Sequence, residues 1–266
     1  MNALLVAINS KYIHPAMGLF QIYANSKYPV RIKEFTIKDD IKDIITFINN
    51  DDSIVVLLSC YIWNINIIKG ILPSIKNKII SLGGPEASFY PELLYEDNVS
   101  YITKGEGEDS FNELLDFLTN KRPLSEVSNT FYLEDGKIKY TFDALPNLNN
   151  IKHDLSLIKD FSNRVCYIES SRGCFYNCTY CLASTEKPVR YFPLEEVLGN
   201  IKYLLDNNAR TIKFLDRSFG VRREYIDTIL KFILDHDNGV SSFQFEVNGD
   251  SIAKSTLELL NKMRPK

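Results

Sequence analysis

The chain has 266 residues, a formal net charge of −3, 45% hydrophobic and 24% charged residues, the ordinary balance of a globular protein of one to two domains. There is no basic excess to suggest a nucleic-acid partner and no acidic tail. No apolar run approaches the ~18 residues of a membrane span, and Met1 to His14 lacks the segments of a signal peptide, so the expected location is the cytoplasm. Thiols stay reduced there, and the five cysteines are expected to be free, catalytic or metal-bound.

Short β-rich runs alternate with helical stretches from the start. Strands are expected at Ala3 to Ile8, Arg31 to Ile37, Ser53 to Ser59, Lys78 to Leu82 and Val99 to Thr103. Helices are expected at Leu19 to Asn25, Ile41 to Asn49, Ile65 to Ile75 and Ser110 to Thr119, with Pro73 able to end the third. This alternation is the pattern of a doubly wound parallel sheet, assigned to 1–120. The rhythm breaks at Arg122-Pro123, and Glu134-Asp135-Gly136 reads as a hairpin turn within a connector at 121–160.

A second β/α series fills 161–266. Its strands are Val165 to Glu169, Thr211 to Asp216 and Phe243 to Val247; its helices are Glu195 to Asn207, Tyr225 to Asp235 and Thr256 to Met263. Three such units make a partial (β/α) barrel. A half barrel leaves an open sheet edge, so the sequence is expected to be a piece of a longer barrel.

After the first strand of this series comes Cys174-Phe175-Tyr176-Asn177-Cys178-Thr179-Tyr180-Cys181. Thiolates spaced by three and then two residues can curl around one cubane cluster, whose irons favour soft sulfur ligands. A structural zinc site would need a fourth ligand, and the nearest spare thiol, Cys166, lies inside an expected strand. A redox pair of Cys178 and Cys181 would leave Cys174 unexplained. Cys60 and Cys166 read as buried small apolar residues. Polar residues follow each strand at the carboxyl end, where parallel barrels bind ligands: Glu169 with Ser170-Ser171, Asp216-Arg217, and Glu246 with Asn248.

The motif CxxxCxxC with Tyr180 before the last cysteine resembles the radical S-adenosylmethionine (SAM) superfamily. The resemblance implies a [4Fe-4S] cluster held by Cys174, Cys178 and Cys181, with one iron left for SAM and an electron donor such as flavodoxin or ferredoxin. It further implies cleavage of SAM to a 5′-deoxyadenosyl radical that abstracts hydrogen from a small-molecule substrate. Asp216 and Glu246 are the positions carried over as SAM contacts, alongside Tyr180. Leu215-Asp216-Arg217 stands where the family commonly has Gly-Gly-Glu.

The amino-terminal half resembles cobalamin-binding domains in the order of its features: a first loop, Asn9 to Gly18, bearing His14; Ser59 ending the third strand; Gly83-Gly84 ending the fourth. Gly84-Pro85-Glu86, Gly105-Glu106-Gly107-Glu108 and Ser59-Cys60-Tyr61-Ile62-Trp63 resemble the cobalamin-domain radical SAM proteins. The small residues would admit the nucleotide tail of the corrinoid. His14 is either a lower axial ligand or a lining residue, because Tyr12 replaces the Asp that orients such a His and Gly18 comes one residue late. In that family methylcobalamin often delivers a methyl group to the activated carbon; other members cyclise or rearrange. The alternative is a non-catalytic corrinoid- or nucleotide-binding module with a degenerate barrel.

Overall fold

Leu4, Val6 and Ile8 of β1 (Ala3–Asn9) point to one side of the strand and Ala3, Leu5 and Ala7 to the other, all of them buried. A strand apolar on both faces is stable only inside a sheet covered on both sides by helices. That is its position in the computed structural model, which describes residues 1–185, 187–217, 219–250 and 252–263 and divides into two compact units, Met1–Asp154 and Leu155–Lys266.

In the first unit α1 (Met17–Asn25), β2 (Val30–Thr36), α2 (Ile41–Asn50), β3 (Val55–Ser59), α3 (Ile65–Ile71), β4 (Ile79–Gly83), α4 (Pro85–Phe89), β5 (Val99–Thr103) and α5 (Glu108–Leu118) follow β1 in turn. Ile44 and Ile48 of α2, Ile68 and Ile71 of α3, and Ala87 of α4 cover one face of the sheet. Leu19 of α1 and Phe111 and Leu115 of α5 cover the other. Asp40 caps α2 by accepting from the Lys42 backbone N–H at 2.8 Å. Pro73 sits in a 3-10 turn over Leu72–Ser74, so α3 ends four residues before the expected Ile75.

The five parallel strands lie in the order β2-β1-β3-β4-β5, so the winding direction reverses between β1 and β3. The hairpin of the expected 121–160 connector extends this sheet. Its strands β6 (Thr130–Glu134) and β7 (Lys137–Tyr140) add antiparallel beyond β5 and bring the sheet to seven strands. Asp135 and Gly136 both have positive φ, the geometry a two-residue hairpin turn requires.

In the second unit β8 (Val165–Ile168) leads into β9 (Ser171–Arg172), which pairs antiparallel with β10 (Arg190–Tyr191). Then come α6 (Leu194–Asp206), β11 (Thr211–Phe214), α7 (Arg223–Asp235), β12 (Ser242–Gln244) and α8 (Lys254–Leu260). β8, β11 and β12 form a parallel sheet in the order β12-β11-β8, the start of a (β/α) barrel. β12 is shorter than expected, and beyond it Val247 bridges only Phe219. Phe214, Phe219 and Phe245 pack around one another with centroids 4.4–5.1 Å apart. Residues 264–266, which end the expected 161–266 segment, lie outside the described residues. Among the described residues no helix is long and apolar enough to cross a membrane.

Phe111 is 1% exposed and anchors α5 on the sheet beside Leu5 and Leu57. Phe111→Ala should cost about 3–5 kcal/mol, read as a lower urea midpoint at an unchanged slope.

Candidate functional sites

A doubly wound sheet binds ligands where its strand order reverses, at the carboxyl ends of the strands. Here those ends are β1 and β3. Asn64, fully buried, ties them together: its side-chain amide donates to Ile8 O at 3.0 Å and Ser59 O at 2.8 Å, and its Oδ1 accepts from Tyr61 N at 2.8 Å. The Trp63 indole N–H also donates to Ile8 O, at 3.2 Å, and its ring stacks on Tyr61 with centroids 4.4 Å apart. Across β1, Glu34 accepts from Asn9 Nδ2 and from Ala16 N, both at 2.8 Å, so the two ends of the first loop are held from β2. His14 lies half-buried in this loop, its backbone N–H donating to Lys11 O at 3.2 Å.

Gly83 and Gly84 do different work. A Cβ on Gly83 would meet nothing nearer than Leu57 Cδ1 at 3.8 Å. Gly84 has φ +94°, and a Cβ there would stand 2.7 Å from Cys60 O. The close approach lets the loops after β3 and β4 bond directly, Cys60 N to Gly83 O at 2.7 Å and Glu86 N to Cys60 O at 3.2 Å.

Strand alternation turns Ser59, Ser81, Gly83 and Thr103 toward the face covered by α1 and α5. Ser59 and Gly83 are register partners, and Ser81 lies one layer deeper beside Leu57. The hydroxyls of Ser81 and Thr103 are buried without a hydrogen-bond partner. Leaving such a group unmade costs about 1–3 kcal/mol. Small side chains and two unpaired hydroxyls on one helix-covered face fit the polar nucleotide tail of a corrinoid. Ser81 and Thr103 escaped the sequence reading; the signal was a hydroxyl at an inward position of an otherwise apolar strand.

Cys174, Cys178 and Cys181 lie in the second unit on the loop at 173–189, whose ends are joined. Ser171 of β9 is paired with Tyr191 of β10, Arg172 with Arg190, and Phe192 N donates to Ser170 O at 3.0 Å. Gly173, φ +91°, turns the chain out of this neck. Cys174 is buried, Cys178 half-buried and Cys181 exposed. Cys181 N donates to Cys178 O at 3.2 Å. The negative charge of Cys178 in its thiolate form, and then a hydrogen bond to that sulfur, hold the exposed Tyr180 phenol above its ordinary pKa. Among the described residues, no three His, Cys, Asp or Glu side chains converge as a ready metal cage, so a cluster would have to draw the loop together. Three thiols within eight residues are nonetheless a donor set of the soft kind that iron and sulfide favour. Burial pushes the two remaining thiols up, Cys60 to about 12 and Cys166 to about 11, and withdraws them as thiolate ligands.

The other expected contacts are placed differently. Glu246 is half-buried and pairs with Lys213 at 3.1 Å and Arg217 at 3.8 Å. Asp216 is 1% exposed; its carboxylate accepts from Ser170 N at 2.9 Å, Ser170 Oγ at 2.5 Å and Ser171 Oγ at 2.6 Å. Burial pushes its carboxyl above the usual range against the pull of these bonds. Glu169 pairs with Arg172 at 2.9 Å, and that guanidinium lies over the Phe192 ring at 5.4 Å.

Residues 3–115 match the family model of the B12 binding domain. The chain is 28% identical over 163 residues to an uncharacterized methyltransferase of Pyrococcus horikoshii, covering 56% of this chain and 35% of that protein. It is 30% identical over 115 residues to the anaerobic magnesium-protoporphyrin IX monomethyl ester cyclase of Synechocystis sp., covering 40% of this chain and 23% of that protein. The matched stretches thus span about a third or less of these curated relatives. Among solved structures, the cobalamin-dependent SAM radical enzyme OxsB superposes with a TM-score of 0.82 at 18% identity over 98% of this chain and 42% of its own. The radical SAM methyltransferase TsrM of Kitasatospora setae superposes with a TM-score of 0.81 at 15% identity over 98% and 57%. The resemblance read from the residues therefore holds, as a B12-binding match in the first unit and as a fold shared with these enzymes along the chain.

Gly84→Ala should destabilise the first unit by about 1–3 kcal/mol, since the substituted residue must hold a left-handed backbone against Cys60 O. Gly70→Ala, in α3 with open space around it, should be neutral or stabilising by up to ~1 kcal/mol. Parallel urea melts compare the two.

Proposed function

We propose that this chain is the cobalamin-binding and cluster-binding portion of a radical SAM enzyme that transfers a methyl group to, or rearranges, a small-molecule substrate. The observation that carries the reading is the three-thiol loop, closed at its neck, at the carboxyl end of the first strand of a β/α series. Its three thiols suit iron and sulfide. When bound, the cluster supplies the electron that breaks a C–S bond of SAM, and cobalamin supplies a carrier for the methyl group.

The residues of the chain hold and orient. Cys174, Cys178 and Cys181 would ligate the cluster, leaving one iron for SAM, and Tyr180 would lie beside them. Glu246, half-buried just beyond the carboxyl end of β12, would meet a polar part of SAM. In the first unit Ser59, Gly83, Ser81 and Thr103 would take the corrinoid tail, with Gly84 keeping the neighbouring loops close. His14 would face the corrinoid or ligate its metal. Electrons would come from a flavodoxin- or ferredoxin-type donor. A second reading, a corrinoid-binding module without radical chemistry, draws on the unconverged thiols.

Anaerobic reconstitution with iron and sulfide separates the two. The radical reading expects a brown protein with broad visible absorbance that is lost in Cys174→Ala, and SAM cleavage under reducing conditions. A protein that binds cobalamin but retains no iron supports the module instead. For cobalamin, equilibrium dialysis of the full chain should show uptake, and Ser81→Leu, which fills the slot, should weaken it roughly 5- to 150-fold by overpacking worth about 1–3 kcal/mol. Equal uptake by that variant places cobalamin elsewhere.

A further inference from the structure

Asp216 is a buried acid that takes no part in the cofactor binding proposed for these residues. Asp216 follows β11, yet its carboxylate accepts hydrogen bonds from Ser170 and Ser171 beyond the end of β8, some 45 residues earlier in the chain. Those two serines are the neck of the cysteine loop, because Ser171 is the register partner of Tyr191 and Ser170 O receives Phe192 N. The same carbonyl accepts from the Tyr225 hydroxyl at 3.2 Å, and that hydroxyl also reaches Phe192 O at 2.8 Å. The Arg222 guanidinium covers the rings of Tyr191 and Tyr225 at 5.1 and 5.4 Å. One side of the neck is thus held from β11 and the other from α7.

We propose, on the reading of the loop as a cluster site, that Asp216 is a positioning residue that clamps the neck and fixes where Cys174 leaves it, and that it makes no contact with SAM. Two facts separate this from a ligand contact. The carboxylate is 1% exposed, so an ammonium group has no path to it. Its Oδ1 already accepts two hydroxyls and its Oδ2 a backbone N–H, so three of its roughly four acceptor positions are taken. Charge-assisted bonds of this kind set orientation as well as energy, as the outer partners of metal ligands do.

The test uses the full chain reconstituted anaerobically with iron and sulfide. Asp216→Ala should lose iron to a chelator about tenfold or more faster than wild type, the usual effect of removing an outer-shell partner. Asp216→Asn should recover much of that loss, because the amide oxygen can still accept from Ser170 N and the two hydroxyls can turn to accept from the amide. In every variant molecule that keeps its cluster, adding SAM should change the electron paramagnetic resonance spectrum as in wild type. Should Asp216→Ala not fold by circular dichroism, Ser170→Ala with Ser171→Ala removes both hydroxyl donors and carries the same expectations. The proposal is overturned by variants that melt earlier but hold the cluster with the wild-type lifetime. A loaded Asp216→Asn that no longer responds to SAM overturns it as well, and returns Asp216 to the ligand. Wild-type chain that takes up no iron defeats the cluster reading itself, a different result from either.

Discussion

A parallel strand cannot return to its neighbour by a tight turn; it needs a crossover, and every crossover leaves from the same edge of the sheet. That constraint organises both units. In the first it gathers the segments after β1, β3, β4 and β5 on one rim, where the small and polar residues stand. In the second it puts the cysteine loop, Asp216 and Glu246 at the ends of β8, β11 and β12. The apolar strand centres supply the burial that holds these rims in place. They need no special residues beyond size and branching.

The rims are where the chain departs from simple packing. Asn64 spends its side-chain amide and carbonyl on three backbone groups, so it acts as a strut between two strand ends. Gly84 stands where any Cβ would strike Cys60 O. Asp216 buries its carboxyl group among three donors, an arrangement that fixes orientation. Ser81 and Thr103 go further and keep hydroxyls with nothing to bond. Features of this kind cluster where a protein handles a ligand.

Local pattern was enough to read the strands and most helices, because apolar runs of strand length alternate with segments of helical period. The cysteine spacing and the Gly83-Gly84 pair were likewise visible as short motifs. What was hidden depends on contacts distant in sequence. β9 and β10 have two residues each, too few for any periodicity, and exist only because the loop returns to its start. The hairpin at Asp135-Gly136 was legible as a hairpin, but its membership in the sheet depends on β5 offering an open edge. Asp216 was noticed as a polar residue at a strand end; that its partners are Ser170 and Ser171 requires the alignment of β8 with β11. β12 stops early because Phe245 turns into the cluster with Phe214 and Phe219, a packing choice invisible to strand propensity.

The two-residue ladder of β9 and β10 has a thermodynamic consequence. Bringing the ends of a long flexible segment together carries an entropic cost that grows with the logarithm of its length. Here that closure is made by the chain's own residues, Ser171, Tyr191 and Phe192. Whatever the thiols bind therefore has only to order the residues inside the ring, and the affinity it shows is not reduced by the work of tying the ring shut.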